Sequence, residues 1–193
     1  MTEEEVKEAV WNLQPDKAPG PDGFPIAFYR TFWQIIKKDL LKMVIYVMRK
    51  RKIGGYTNST LLALIPKYPR PSTLNCFRPI SLCNNSYKII SKIIAARMKP
   101  LLLNLITENQ GGFVPNRQIV DNIILVQEDI HTSLNNNEKG FVLKMDMANA
   151  FDRVNLSFLA DVLREFGFSE EFFELIQPCT MGPWIAPLIN GRP

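Results

Sequence analysis

Between Asp39 and Glu108 the sequence has no acidic residue: the 68 positions 40–107 carry twelve Lys and Arg and not one Asp or Glu. A solvated helix surface ordinarily mixes both signs. So long a stretch without a carboxylate points to a face turned toward a polyanion, bound by phosphate neutralisation and counterion release; a merely soluble basic face is the alternative. The bias recurs at larger scale. Residues 1–100 hold seventeen Lys/Arg against seven Asp/Glu, and residues 101–193 hold six against twelve, so the halves carry about +10 and −6 within a net +4. Other scarcities exclude whole classes. No apolar run approaches the roughly 18 residues of a membrane span, and the opening MTEEEVKEAV is acidic where a secretory leader is basic and then apolar. No membrane partner is expected. Three cysteines, Cys76, Cys83 and Cys179, match no zinc spacing and read as reduced thiols. The single histidine, His131, has no Cys or Ser elbow nearby to make a hydrolytic pair, and no Gly-rich phosphate loop of the P-loop kind is present.

What is there begins with 193 residues, 46% of them hydrophobic, enough to bury a core in one domain or two modest sub-domains. Thr2 with Glu5 forms a capping box ahead of Val6, Val10 and Leu13 at helical spacing. That helix stops at QPDKAPGPDGFP, residues 14–25, where four prolines and two glycines forbid regular structure and make a long, shaped loop. Phe28, Phe32, Ile36, Leu40, Val44 and Val47 then mark one face of a helix to about Arg49. TLLALIPK, residues 60–67, predicts a strand closed by Pro66, and the loop after it could fold Lys67 and Arg78 together. A helix is expected from Asn84 to about Ile106, broken or kinked at Pro100, with Lys88, Lys92, Arg97 and Lys99 lining much of its polar side. QGGFVPNRQIVDN, residues 110–122, leads into a further helix through Ile123, Val126 and Ile130, and NNNEKG, residues 135–140, is a turn. Two more helices, near 155–166 and 169–177, precede a weak strand, WIAPLING.

In FVLKMD, residues 141–146, Phe141, Leu143 and Met145 alternate with Val142, Lys144 and Asp146, the period of a strand with one buried face. Asp146 is then a strand-end carboxylate, suited to a hard cation such as Mg²⁺ but weak as its sole protein ligand. The 41 residues after Asp152 hold Asp161, Glu165, Glu170, Glu171 and Glu174, all in helix-like segments, and no strand-turn-strand with paired aspartates.

KAPGPDGFP, LIPK, FRPISL, YKIISKIIAARM, QGGFVPNRQIVDNI, KMDMANAFDRV and a terminal LING stand in this order along nearly the whole chain. Together they resemble the reverse transcriptase domain of non-LTR (LINE-type) retrotransposons, closest to plant elements. The resemblance implies an α+β right-hand polymerase, mostly helical with a few short strands, with residues 1–138 as fingers and 139–193 as the start of a palm. It implies an RNA-directed DNA polymerase working on an RNA template, a DNA primer and dNTPs, with Mg²⁺ as cofactor. Asp146 matches the first catalytic, metal-binding aspartate, which acts with a later aspartate pair. Phe151 matches the aromatic gate under the deoxyribose; a core aromatic at a helix head is compatible with that role. Lys67 and Arg78 match fingers residues that close on the triphosphate, a task suited to an ammonium and a forked guanidinium. Gln110, Phe113 and Arg117 match a motif lining the path of template and nucleotide. Lys17 is expected near the template, with Lys88, Lys92, Arg97 and Lys99 as further nucleic-acid contacts, while Gly20, Pro21 and Gly23 shape their loop.

Two departures qualify the match. The family commonly has lysine where this sequence has Asn149, so a helix-start cation is missing. Family members also continue through a Gln-Gly-Asp-Pro segment to an Ala-Asp-Asp hairpin and a thumb, none of which occurs before Pro193. The 193 residues alone are therefore expected not to extend a primer. Two alternatives stay open: a non-catalytic RNA-binding remnant of a retroelement, and a protein like the intron maturases, although QGGFVPNRQIVDNI favours the retrotransposon side. A nuclear location follows only from the family, with weak support from RKRK at 49–52. Oligomeric state is not legible.

Overall fold

The computed structural model describes residues 1–137, 139–147, 150–189 and 191, without the side chains of Phe151 and Asp152. Asn149, and Glu138 in the expected NNNEKG turn, lie outside the described residues. Two compact units result, one of Met1–Ala95 with Ser169–Pro193 and one of Ala96–Phe168.

In the first unit, helix α1 (Glu3–Trp11) starts where the Thr2 hydroxyl accepts from the Glu5 N–H, satisfying one of the donors a helix start leaves open. Helices α2 (Ile26–Thr31) and α3 (Trp33–Lys50) divide what reads in sequence as one helix. The break falls at Phe32, which is left 43% exposed, while Trp33 is 4% exposed and takes the core position. Phe24, Phe28 and Phe32 stack in a row instead, with ring centroids 4.7 and 4.9 Å apart. The core is built by Val6 and Val10 of α1, Ile26 and Tyr29 of α2, Leu40, Val44 and Val47 of α3, and Ile89, Ile90 and Ile93 of α4 (Asn85–Leu105). Helix α4 runs on through Pro100 rather than ending there.

Strands β1 (Ser59–Pro66) and β2 (Phe77–Cys83) form an antiparallel hairpin, with Thr60 opposite Cys83 and Ile65 opposite Arg78. Strand β3 (Trp184–Pro187) adds parallel to the other edge of β1, giving the order β2-β1-β3. Helix α7 (Glu170–Thr180) packs its Phe172, Leu175 and Ile176 against the helical core, and the Tyr87 hydroxyl donates to the Cys179 carbonyl at 2.8 Å.

The second unit holds the last turns of α4, helix α5 (Ile119–Asn135), a short 3₁₀ turn (Ala150–Arg153) and helix α6 (Leu156–Glu165). Gln118 and Asp121 make the reciprocal capping box that starts α5. No residue of α5 is buried; Ile123, Val126 and Ile130 remain 41–52% exposed. The expected strand over 141–146 does not form: the segment is irregular and exposed, with Phe141 at 91% and Met145 at 83%. Period-two alternation supplies two faces but not a ladder, and no described strand pairs with this segment.

Candidate nucleotide and nucleic-acid interface

The β1–β2 hairpin ends in an exposed arm. Past Pro66 the ladder continues one step, since the Lys67 N–H donates to the Cys76 carbonyl at 2.8 Å. Residues directly opposite share a face, so Ile65 and Arg78 lie on one side and Lys67, two residues from Ile65, lies on that side too. Lys67 and Arg78 are thus diagonal neighbours, a relation that places Cβ atoms about 7–8 Å apart or less. Both are exposed, and neither has a carboxylate partner among the described residues. The Lys67 ammonium spends one donor on the Asn75 carbonyl at 2.8 Å, which fixes its stem and leaves its other donors free. Two like charges held together without a counter-ion are unfavourable alone and suit a polyphosphate.

The turn of this arm is held by Cys76. Its thiol is 7% exposed and meets the Thr73 and Tyr68 hydroxyls. These hydrogen bonds, Thr73 first and Tyr68 second, favour the thiolate and lower the thiol from 9.0 to about 6. Tyr68, as the donor, is pushed up. All three cysteines are free.

The loop 14–25 is pinned to the other end of the hairpin by Asn84, a fully buried residue between β2 and α4. Its side-chain oxygen accepts from the Asp22 N–H at 3.0 Å and its amide donates to the Tyr56 carbonyl at 2.8 Å. Gly20 lies so close that a Cβ there would come within 2.3 Å of the Asn84 backbone nitrogen, and Gly23 turns the chain with φ +74°. Lys17 stands exposed on this loop, and Lys88 reaches the Ala18 carbonyl at 3.5 Å. Lys88 and Lys92 are half-buried in the first unit; Arg97 and Lys99 are exposed in the second.

In the second unit Gln110, Phe113 and Arg117 lie on the irregular segment between α4 and α5, where Arg117 reaches back to the Gln110 carbonyl. Arg117 is committed to backbone: its guanidinium donates to the carbonyls of Ile106, Thr107 and Gln110, closing the C-terminus of α4. Gln110 donates to the Gly112 carbonyl at 3.3 Å. Phe113 is 93% exposed with φ +64°, an uncommon conformation for an aromatic residue and one that presents its ring to solvent. Asp146 is exposed in the irregular segment. Among the described residues no group of three or more His, Cys, Asp or Glu could hold a metal ion. The side chain of Phe151 lies outside the described residues.

Sequence reasoning missed the anchoring role of Asn84, whose signal was Asn-Asn between a strand and a helix, a start signature. It also missed Arg30, which ties the end of α1 by donating to the carbonyls of Trp11 at 2.7 Å and Leu13 at 2.6 Å.

Helices with a small three-stranded sheet, one hairpin of which carries the exposed Lys67 and Arg78, define an α+β protein. Known sequences give the family. Residues 65–191 match the model of the reverse transcriptase (RNA-dependent DNA polymerase) family, and the chain belongs to it. It is similar to the Transposon TX1 uncharacterized 149 kDa protein of Xenopus laevis, 30% identical over 89% of this chain and 13% of that protein. The Pol polyprotein of type-1 retrotransposable element R2 of Nasonia vitripennis is 26% identical over all of this chain and 19% of its own length. The RNA-directed DNA polymerase of mobile element jockey of Drosophila funebris is 26% identical over 80% and 17%. The relatives are non-LTR retroelement proteins, and the chain spans less than a fifth of their length.

Proposed function

We propose that this chain is the nucleotide- and template-gripping part of an RNA-directed DNA polymerase, fingers over 1–138 and the start of a palm over 139–193. The carrying observation is the pairing of Lys67 and Arg78 on one face of an exposed hairpin within a stretch that has no acid. An ammonium and a guanidinium so placed can take two phosphates of a dNTP, the guanidinium with two parallel hydrogen bonds. Phe113, with its presented ring, serves template or nucleotide as a stacking surface, and Lys17, Lys88, Lys92, Arg97 and Lys99 take phosphates of the RNA template and DNA primer. In this reading Asp146 is one carboxylate of a Mg²⁺ site completed by carboxylates outside these 193 residues, and Phe151 is the gate beside the sugar. The wording of KAPGPDGFP and QGGFVPNRQIVDNI favours an element of the plant type.

Titration with a fluorescent dATP analogue tests the grip. Lys67→Ala and Arg78→Ala should each weaken binding about tenfold, the loss of one charge-assisted contact, with Lys7→Ala as an unaffected control. Equal affinity in all variants would sink the assignment. A second reading, RNA binding without chemistry, is favoured by the acid-free stretch itself. Binding of the dATP analogue separates the two, since a module that only binds RNA takes up none; templated synthesis by these 193 residues alone would contradict the need for further carboxylates.

A further inference from the structure

The outer face of α3 carries a second set of cations that no motif accounts for. Ile35, Lys38, Lys42, Tyr46 and Arg49 are all exposed and recur every three to four residues, one stripe along one side of the helix. The opposite side, Leu40, Val44 and Val47, is buried in the core, so the stripe is fixed in direction and cannot turn inward. From Lys38 to Arg49 it runs about 16 Å at 1.5 Å per residue.

A basic helix end needs no ligand to explain it, because cations in the last turn complement the helix dipole. That covers Arg49 and Lys50 but not Lys38 and Lys42, which lie mid-helix. Lys38 and Arg49 make no ion pair among the described residues. Lys42 meets Asp39 at 3.0 Å, but the two side chains are 78% and 82% exposed, a pair worth little and readily exchanged for another anion. Asp39 is the only carboxylate on α3. The stripe also holds a ring between two of its cations: Tyr46 is 56% exposed, one turn beyond Lys42 and one turn before Arg49.

We propose that this face of α3 binds single-stranded RNA, with Lys38, Lys42 and Arg49 on successive phosphates and a base stacked on Tyr46. Alternating cations and an exposed ring suit a single strand, whose bases are free to stack; a duplex offers phosphates alone. The inference rests on the nucleic-acid reading above and adds to it a strand path on α3, separate from the hairpin arm.

Anisotropy of a fluorescein-labelled 20-nucleotide oligo-U RNA, titrated with the 193-residue chain between 50 and 300 mM KCl, provides the test. Lys38→Ala/Lys42→Ala/Arg49→Ala should lower the slope of log affinity against log salt by about 2, three single-strand contacts at roughly 0.7 each. Tyr46→Ala should weaken binding about tenfold and leave that slope unchanged. All four side chains are exposed, and unchanged circular dichroism and melting would establish that the variants fold. A triple variant with wild-type affinity and slope would overturn the proposal, whatever the hairpin variants do to dATP. So would a silent Tyr46→Ala combined with preference for duplex, or a triple variant whose only loss is pelleting with phosphatidylserine vesicles. Conversely, a hairpin double variant that loses dATP but keeps oligo-U binding, beside an α3 variant with the opposite pattern, would support two separate sites.

Discussion

Tyr87 carries a hydroxyl that is buried and used: it donates to the Cys179 carbonyl, and burial, then the neighbouring Cys179, pushes it up to about 12. Tyr29 is likewise raised to about 12 by burial and then by Asp22, and burial lifts Cys179 to about 11. An acid raised in the fold stabilises fully below its unfolded pKa and loses that contribution as pH climbs through the folded value. For these groups the windows run from 10 to 12 for the two phenols and from 9 to 11 for the thiol. Thermal melts from pH 8 to 12 should therefore fall from about pH 9 upward, and Tyr87→Phe should fall less steeply; an equal slope in the variant would contradict the assignment. Cys76 has the opposite sign, lowered to about 6 by Thr73 and then Tyr68. It should react with iodoacetamide near neutral pH while Cys179 does not, read as the order in which peptides label. Labelling of Cys179 first would contradict the polar turn drawn for the arm.

At the scale of elements, the loop 14–25 and the hairpin meet through Gly20 and Asn84. Gly20→Ala drives a methyl into backbone, a cost of about 1–3 kcal/mol. Asn84→Ala removes two part-buried hydrogen bonds, from the Asp22 N–H and to the Tyr56 carbonyl, together about 1–3 kcal/mol. Because both act on one contact, the double variant should lose less than the two losses together; full additivity in urea melts would show that the contact does not couple them. Much of this frame is legible in the sequence, for identifiable reasons. The strand before Pro66 and the helix from Asn85 show in periodicity, and the turn chemistry of 14–25 shows in its prolines and glycines. The break at Phe32 is not legible, because Phe32 and Trp33 are equally apolar and only packing decides which enters the core. Residues 141–146 mislead in the other direction, since alternation reports faces and not pairing, and no described strand pairs with them. That Lys67 and Arg78 can come together is legible in the loop between them, and their role in the family motif; their register on one face is a property of the hairpin.

For the whole molecule, the uneven distribution of charge and apolar surface decides behaviour in solution. The acid-free stretch lies mostly in the unit that carries the hairpin and α3. The other unit exposes a helix with no buried residue, and Val126, Ile130 and Leu134 line an open groove of about 560 Å³ with Phe141–Leu143. Exposed apolar area of this kind binds dyes and promotes association. The 193-residue chain should enhance anilinonaphthalene sulfonate fluorescence, and Ile130→Glu should reduce it several-fold; an unchanged signal would place the dye elsewhere. The measurement that bears most directly on the account is photo-crosslinking of an azido-dATP analogue followed by peptide mapping. Label is predicted within residues 65–79, competed by dATP and lost in Lys67→Ala/Arg78→Ala. Label that maps outside the hairpin arm, or that survives the double substitution, would contradict the claim that this arm holds the triphosphate.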